Sequence, residues 1–234
     1  SVRMRMHRVV HLGPSKSQGG MSEVIRTLHQ NPPAGWSSSI IDTHDDSPIY
    51  MLLKWIKSRR SLKSRIKSGE VDIAHIHVTH SLSWIRKRSI MRICEKARLP
   101  TIVHIHSGKF DSFCRGWYGK SVKRELSKKN RKIVVLEQRW LDLLSPWISR
   151  DNTNVVPNPS IPKIDRKSHK IGDGVKILLL SRDAKCKGHG FAIRAADSLL
   201  QMGREVSISL TGIESHKERI SPELDVRCLG WVDG

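Results

Sequence analysis

Long apolar runs are missing from this sequence: nowhere do about eighteen uncharged hydrophobic residues follow one another, so no stretch reads as a membrane-spanning helix. The opening residues SVRMRMHRVVHL also lack the apolar core and small-residue cleavage site of a secretory signal, and the expected location is cytoplasmic. Cysteine is scarce. Cys94, Cys114, Cys186 and Cys228 lie far apart, with no CxxC or Cys/His pair, which argues against a zinc knuckle or a disulfide framework and predicts reduced, mostly buried thiols. The twelve histidines are scattered along the chain without carboxylate or thiolate partners at ligand spacing, so no metal is expected. Aromatics make up only 5% of residues, and no RNP-type motif, zinc finger or helix-turn-helix signature accompanies them, so no specific nucleic-acid partner is expected.

Acidic residues are few: 22 Asp and Glu face 42 Lys and Arg, for a formal charge of +20. Such an excess attracts nucleic acid, anionic lipid or phosphorylated substrates. Half of the basic residues, 21 against only three acidic ones, fall in residues 51–70, 81–98 and 115–132. With 38% hydrophobic residues over 234 positions, the chain has enough apolar material for one large or two modest buried cores.

The first 160 residues alternate short β-branched runs with longer helical patterns. RVVHL (8–12), SSIIDT (38–43), DIAHIHV (72–78), TIVHIH (101–106), KIVVL (132–136) and NVVPN (154–158) read as strands. Helices are expected at 20–30, 48–67, 81–97, 115–129 and 137–148. The pattern predicts βαβ units in a doubly wound, mainly parallel sheet over residues 1–156. PNPSIPKIDRKSHKIGDG (157–174) has three prolines, charges and no periodicity, and reads as a linker. A second α/β unit opens at 175 with VKILLLSR, a helix over about 190–202, and the strands EVSISLTG and VRCLGWV. Three strands leave uncovered edges and little buried surface, so the expectation is an incomplete second domain over 175–234.

Two strand exits stand out chemically. After the first strand, GPSKSQGGMSEVIRTL places Gly19 and Gly20 directly before a helix, where bare backbone and free N–H groups could approach a phosphate; an ordinary β–α turn has the same look. After the seventh, SRDAKCKGHG places Arg182, Lys185 and Lys187 beside another helix start: a pyrophosphate site, or a solvated charge cluster. His106 emerges at the end of the fourth strand, where the carboxyl edge of a parallel sheet borders its ligand crevice. It could equally be a histidine bonded to loop backbone.

Taken in order, GGMSEVIRTL, VDIAHIHVTH, LPTIVHIHSGKF, KIVVLEQRWLDLL, NVVPNPSIP, ILLLSRDAKCKGHGFAIRAADSL and SISLTG with VRCLGWVDG resemble the family 4 (group 1) retaining glycosyltransferases of GT-B fold. The resemblance implies two Rossmann-like domains, acceptor held mainly by the first and nucleotide sugar by the second. It further implies that Gly19 and Gly20 face the donor, that His106 touches the transferred sugar, and that Arg182 and Lys187 hold the pyrophosphate without a metal or other cofactor. Fixed cations there would stabilise charge building on the departing nucleotide diphosphate. Anomeric configuration would be retained. Pro159 replaces the glycine usual after the linker asparagine. The family's paired glutamates, seven residues apart, would fall beyond Gly234, so a chain ending there is expected to be inactive.

Two basic segments suggest a membrane surface. SPIYMLLKWIKSRRSLKSRIKSG sets Ile49, Leu52, Leu53 and Ile56 among Lys54, Trp55, Lys57, Arg59, Arg60 and Lys63; SLSWIRKRSIMRICEKARL sets Trp84, Ile85 and Ile90 among six cations. The alternative is a pair of sheet-covering helices with basic outer faces. The function expected is sugar transfer from a nucleotide-diphosphate donor to a lipid-linked or polysaccharide acceptor at the inner face of a membrane. The competing expectations are a basic nucleic-acid- or membrane-binding module and a non-catalytic fragment.

Overall fold

The computed structural model describes residues 6–17, 19–159, 174–181 and 187–232. The chain forms two compact units, Ser1–Pro162 and Lys163–Gly234.

The first unit holds the strands β1 (His7–Gly13), β2 (Trp36–Asp42), β3 (Ile73–Val78), β4 (Thr101–Ile105), β5 (Arg131–Val135) and β6 (Thr153–Val155). They form one sheet in the order β2-β1-β3-β4-β5-β6, and each neighbouring pair runs parallel. The order reverses between β1 and β3. In open α/β sheets that reversal opens a crevice at the carboxyl ends of the strands, where ligands bind.

Helices α1 (Gly20–Gln30), α2 (Pro48–Lys67), α3 (Leu82–Lys96), α4 (Phe110–Arg115), α5 (Gly119–Leu126) and α6 (Gln138–Leu144) connect the strands. Pro48 begins α2 at the position where a missing N–H costs nothing, and Arg65 and Lys67 end it where cations suit the carbonyl end. One helix over 115–129 is not what forms. The chain breaks at Gly116 into α4 and α5, because Gly119 packs so tightly on the Cys114 carbonyl and the Trp147 indole that a Cβ would collide with both. The helix expected over 137–148 stops at Leu144, as Pro146 has no N–H to continue it.

Alternation sorts each central strand into two faces. Val10 and Leu12, Ala74, Ile76 and Val78, and Val103 and Ile105 are almost fully buried in a core shared with Leu62, Trp84, Ile90 and Phe110. Cys94 and Cys114 are buried free thiols in that core, and burial raises both, to about 11 and about 12; Cys228 is also free.

In the second unit β7 (Val175–Leu179), β8 (Val206–Leu210) and β9 (Asp225–Cys228) make a three-stranded parallel sheet in that order, with α7 (His189–Gln201) packed on it. Ile193, Ala196, Val206, Ile208, Leu210 and Leu224 form its own core.

Candidate functional site

The carboxyl edge of the larger sheet carries the donor- and sugar-facing residues predicted in the first unit, Gly19, Gly20 and His106. Gly13 ends β1, beside the strand-order reversal, and the Thr43 N–H bonds its carbonyl. The next turn is tied down by Ser15 N–H to Asp42 Oδ1 at 3.2 Å and by Arg26 to the Ser15 carbonyl at 3.2 Å. Gly19 caps α1 with φ of 134°, a backbone conformation that side chains resist, while open space surrounds both Gly19 and Gly20. Bare backbone here thus faces an unfilled region at a helix start. His106 follows β4 at the same edge, with its N–H on the Val78 carbonyl at 2.9 Å. His80, after β3, holds the Ser107 hydroxyl at 2.7 Å, which in turn accepts from the Lys109 N–H.

Behind His106 lies a histidine ladder that the sequence pattern alone does not reveal. His11 on β1, His75 and His77 on β3, and His104 and His106 at the end of β4 occupy one face, because H-x-H puts both rings on the same side and the register aligns His11 with His75 and His77 with His104. Neighbouring nitrogens lie 3.3 Å apart for His11 Nδ1 and His77 Nε2, 3.3 Å for His75 Nε2 and His104 Nδ1, and 2.9 Å for His77 Nδ1 and His106 Nε2. Exposure is 9% or less for His11, His75, His77 and His104, while His106 is half-buried. Burial holds every ring neutral, pushing His11 and His106 down to about 4 and His104 to about 3, with neighbouring histidines adding to the effect on His11 and His104. His75 and His77 are likewise held well below their ordinary value by burial and by the surrounding rings. The repeated signal HIH in residues 75–77 and 104–106 was the available clue; only the strand register reveals that the two copies meet.

In the second unit Arg182 and Lys185 lie outside the described residues. Lys187 is exposed and immediately precedes Gly188, the N-cap of α7, which takes φ of 78°. His189, the first residue of α7, is buried: its Nε2–H donates to the Thr211 carbonyl at 3.0 Å and lies 3.1 Å from the Ser181 hydroxyl. Ser181 N–H in turn bonds the Thr211 hydroxyl at 3.0 Å. These contacts clamp the end of β7 to the start of α7, two residues after Lys187, and to the end of β8. Sequence reasoning passed over His189, since its role depends on Thr211, 22 residues away.

The basic segments divide differently from expectation. Trp84 is a correction: it is 0% exposed, packed edge-on against Phe110 at 5.7 Å, and is a core residue with no surface to offer. In α2, Lys54 is tied to Asp42 at 2.9 Å and Asp45 at 3.3 Å, and these partners raise it above its ordinary value. Trp55 Nε1–H donates to Ser89 at 2.9 Å, and Arg59 stacks over the Trp55 ring at 5.1 Å. The helix buries Ser58 and Leu62, while Ile49, Tyr50, Leu52 and Leu53 are 74, 62, 53 and 47% exposed, and Lys57, Arg60 and Lys63 are exposed as well. Of the apolar residues singled out in α2, Ile49, Leu52 and Leu53 thus turn away from the core, while Ile56 is half-buried. Among the described residues no helix is long and apolar enough to cross a membrane.

No protein-family model and no curated protein matches the sequence. Solved structures do resemble it. Anabaena HepE, crystallised with UDP-glucose, aligns over 97% of this chain and 69% of its own, with a TM-score of 0.61 at 13% identity. LpCGTa in complex with UDP aligns over 97% and 71%, with a TM-score of 0.54 at 14% identity. The glycotransferase of kitacinnamycin covers 94% and 70%, with a TM-score of 0.51 at 9% identity. At these identities the likeness defines fold: the chain has a GT-B-like α/β architecture, with a six-stranded parallel Rossmann-like unit followed by a second, smaller one.

Proposed function

We propose that this chain belongs to a glycosyltransferase that moves a sugar from a nucleotide-diphosphate donor to an acceptor. The observation that carries the proposal is the carboxyl edge at the β1/β3 reversal: a glycine-capped helix start after β1, His106 after β4 two strands away, and this within a GT-B-like fold. Two of the structural relatives were crystallised with UDP or UDP-glucose, which supports a nucleotide sugar as donor.

The finer assignment follows the sequence resemblance to family 4. The acceptor side is residues 1–156, joined through 157–174 to the donor side from 175 onward. Gly19 and Gly20 approach the donor, His106 contacts the transferred sugar, and Lys187 with Arg182 holds the diphosphate beside the α7 N-terminus. A neutral His106, as burial enforces, can accept or donate one hydrogen bond to a sugar hydroxyl without placing a charge there. Positive charge at Lys187 and Arg182 would offset negative charge that develops on the leaving group, so the transfer step itself calls on no metal. Configuration is retained in this assignment.

The acceptor is proposed to be lipid-linked or polysaccharide, reached from the cytoplasmic face of a membrane. The support is the exposed apolar start of α2 next to Lys57, Arg60 and Lys63, a combination suited to an anionic lipid interface.

Full-length protein given a panel of nucleotide sugars and an acceptor extract should release nucleoside diphosphate. His106→Ala should cut that release at least a hundredfold while sparing donor binding. Undiminished turnover in His106→Ala removes the histidine from the chemistry.

A further inference from the structure

The histidine ladder has more nitrogen than its own hydrogen bonds can use. Each neutral imidazole brings one N–H and one lone pair, and the rings contact one another through three N···N pairs. His104 Nε2 is left over: it is buried, on a residue 2% exposed, and has no hydrogen-bond partner. Buried polar atoms are nearly always satisfied, so an orphan amid other ring nitrogens points to a missing partner that accepts lone pairs.

Geometry favours a cation. His77, His104 and His106 each offer a ligand nitrogen, all within 4.8 Å of one another. Tetrahedral coordination with metal–nitrogen bonds of 2.0–2.1 Å puts ligand nitrogens about 3.4 Å apart. The observed 2.9 Å between His77 and His106 is within half an ångström of that, a shift that small ring rotations supply. Three neutral nitrogens and no carboxylate in the group suit zinc, nickel or copper and not the oxygen-seeking magnesium, calcium or manganese. Half-buried His106 gives the ion a way in, and a fourth position remains for water or another ligand.

We propose that His77, His104 and His106 form a site for a nitrogen-preferring divalent transition metal, of which zinc is the representative. Coordination through His106 Nε2, the atom facing His77, fixes that ring's tautomer and leaves Nδ1–H as a donor. The metal's place is on the strand face behind the sugar-contacting edge of the first unit. The proposal does not depend on sugar transfer.

The test uses chelator-stripped full-length protein and zinc alone in equilibrium dialysis, with Co2+ absorption to report coordination geometry. One ion per chain and a tetrahedral-type cobalt spectrum are expected. His104→Gln and His106→Gln should each weaken binding at least tenfold, and His80→Gln, outside the triad, should leave it unchanged. If His104→Gln does not fold by circular dichroism, the half-buried His106→Gln decides. Binding that is absent, or that has the same affinity in His106→Gln as in the wild type, overturns the proposal; weak multiple binding at surface histidines gives that second result. Sugar transfer is not read in this assay, so its failure and the failure of the transferase proposal are separable.

Discussion

Glu125 and Arg131 meet at 3.0 Å in a pair sealed from solvent, with side chains 2% and 0% exposed. Arg88, Arg92 and Lys128 surround the same carboxylate, at 3.4, 3.8 and 3.6 Å. Burial alone would raise the Glu125 carboxyl, but the Arg131 hydrogen bond and the nearby cations outweigh it and hold it below its ordinary value. This one carboxylate, with Glu95 beside Lys128 and Arg131, therefore offsets positive charge from α3, β5 and the turn between α5 and β5. Among the described residues, Glu125→Gln leaves the buried Arg131 guanidinium with only Glu95 at 3.8 Å as a charged partner, and it should destabilise the first unit by about 3 kcal/mol. Denaturant unfolding measures it; a loss under about 1 kcal/mol means that the pair is not a structural necessity.

The two tryptophans of the basic helices should separate by the same assay. Trp84→Ala empties a fully enclosed site and should cost about 3–5 kcal/mol. Trp55→Ala loses a hydrogen bond to Ser89 and the stacking of Arg59, and about 1–2 kcal/mol is expected. Equal costs would contradict the placement of Trp84 in the core.

Lys87 supplies a pH signature. Its ammonium is enclosed against Thr43, and burial pushes it down to about 7, with Arg86 acting in the same direction and Asp42 against it. In the unfolded chain the same group holds its proton to about 10.4. Between those values the unfolded state binds more protons, so this group makes stability rise as pH increases from about 7 towards 10 and fall as pH drops. Lys87→Met should flatten that rise and stabilise the protein at pH 7 and below. An unchanged slope in unfolding free energy between pH 7 and 9 would show that Lys87 stays charged in the fold.

The membrane attachment proposed for α2 would rest on residues that the fold does not use. Leu52→Ser combined with Leu53→Ser removes exposed apolar surface and should lower co-sedimentation with vesicles of mixed neutral and anionic phospholipid by at least fivefold, with unfolding free energy within about 0.5 kcal/mol of wild type. Retained vesicle binding would place the contact elsewhere or remove it.

Strand and helix order was legible because period-two runs such as AHIHV and VHIHS are unambiguous, and the βαβ alternation dictates a parallel sheet. Boundaries failed where tertiary contact decides, as at Gly119, whose close approach to Cys114 and Trp147 is invisible in a helical pattern. Among site residues, Gly19 was legible in sequence only as a glycine before a helix start; its φ of 134° is a property of the folded turn. The ladder was hidden because His11, His75 and His104 become neighbours only through strand register. Trp84 misled for a related reason: Trp among arginines looks interfacial until the helix face is known.

The account turns on donor binding by the second unit, and direct titration of nucleoside diphosphates into the full-length protein tests it. UDP is the first choice, followed by GDP, ADP and dTDP. One of them should bind saturably at one site per chain, and Lys187→Ala, which alters only an exposed side chain, should weaken that binding about tenfold, as loss of a charged hydrogen bond predicts. Absence of saturable binding by any of the four, or identical affinity in the Lys187→Ala protein, would contradict it.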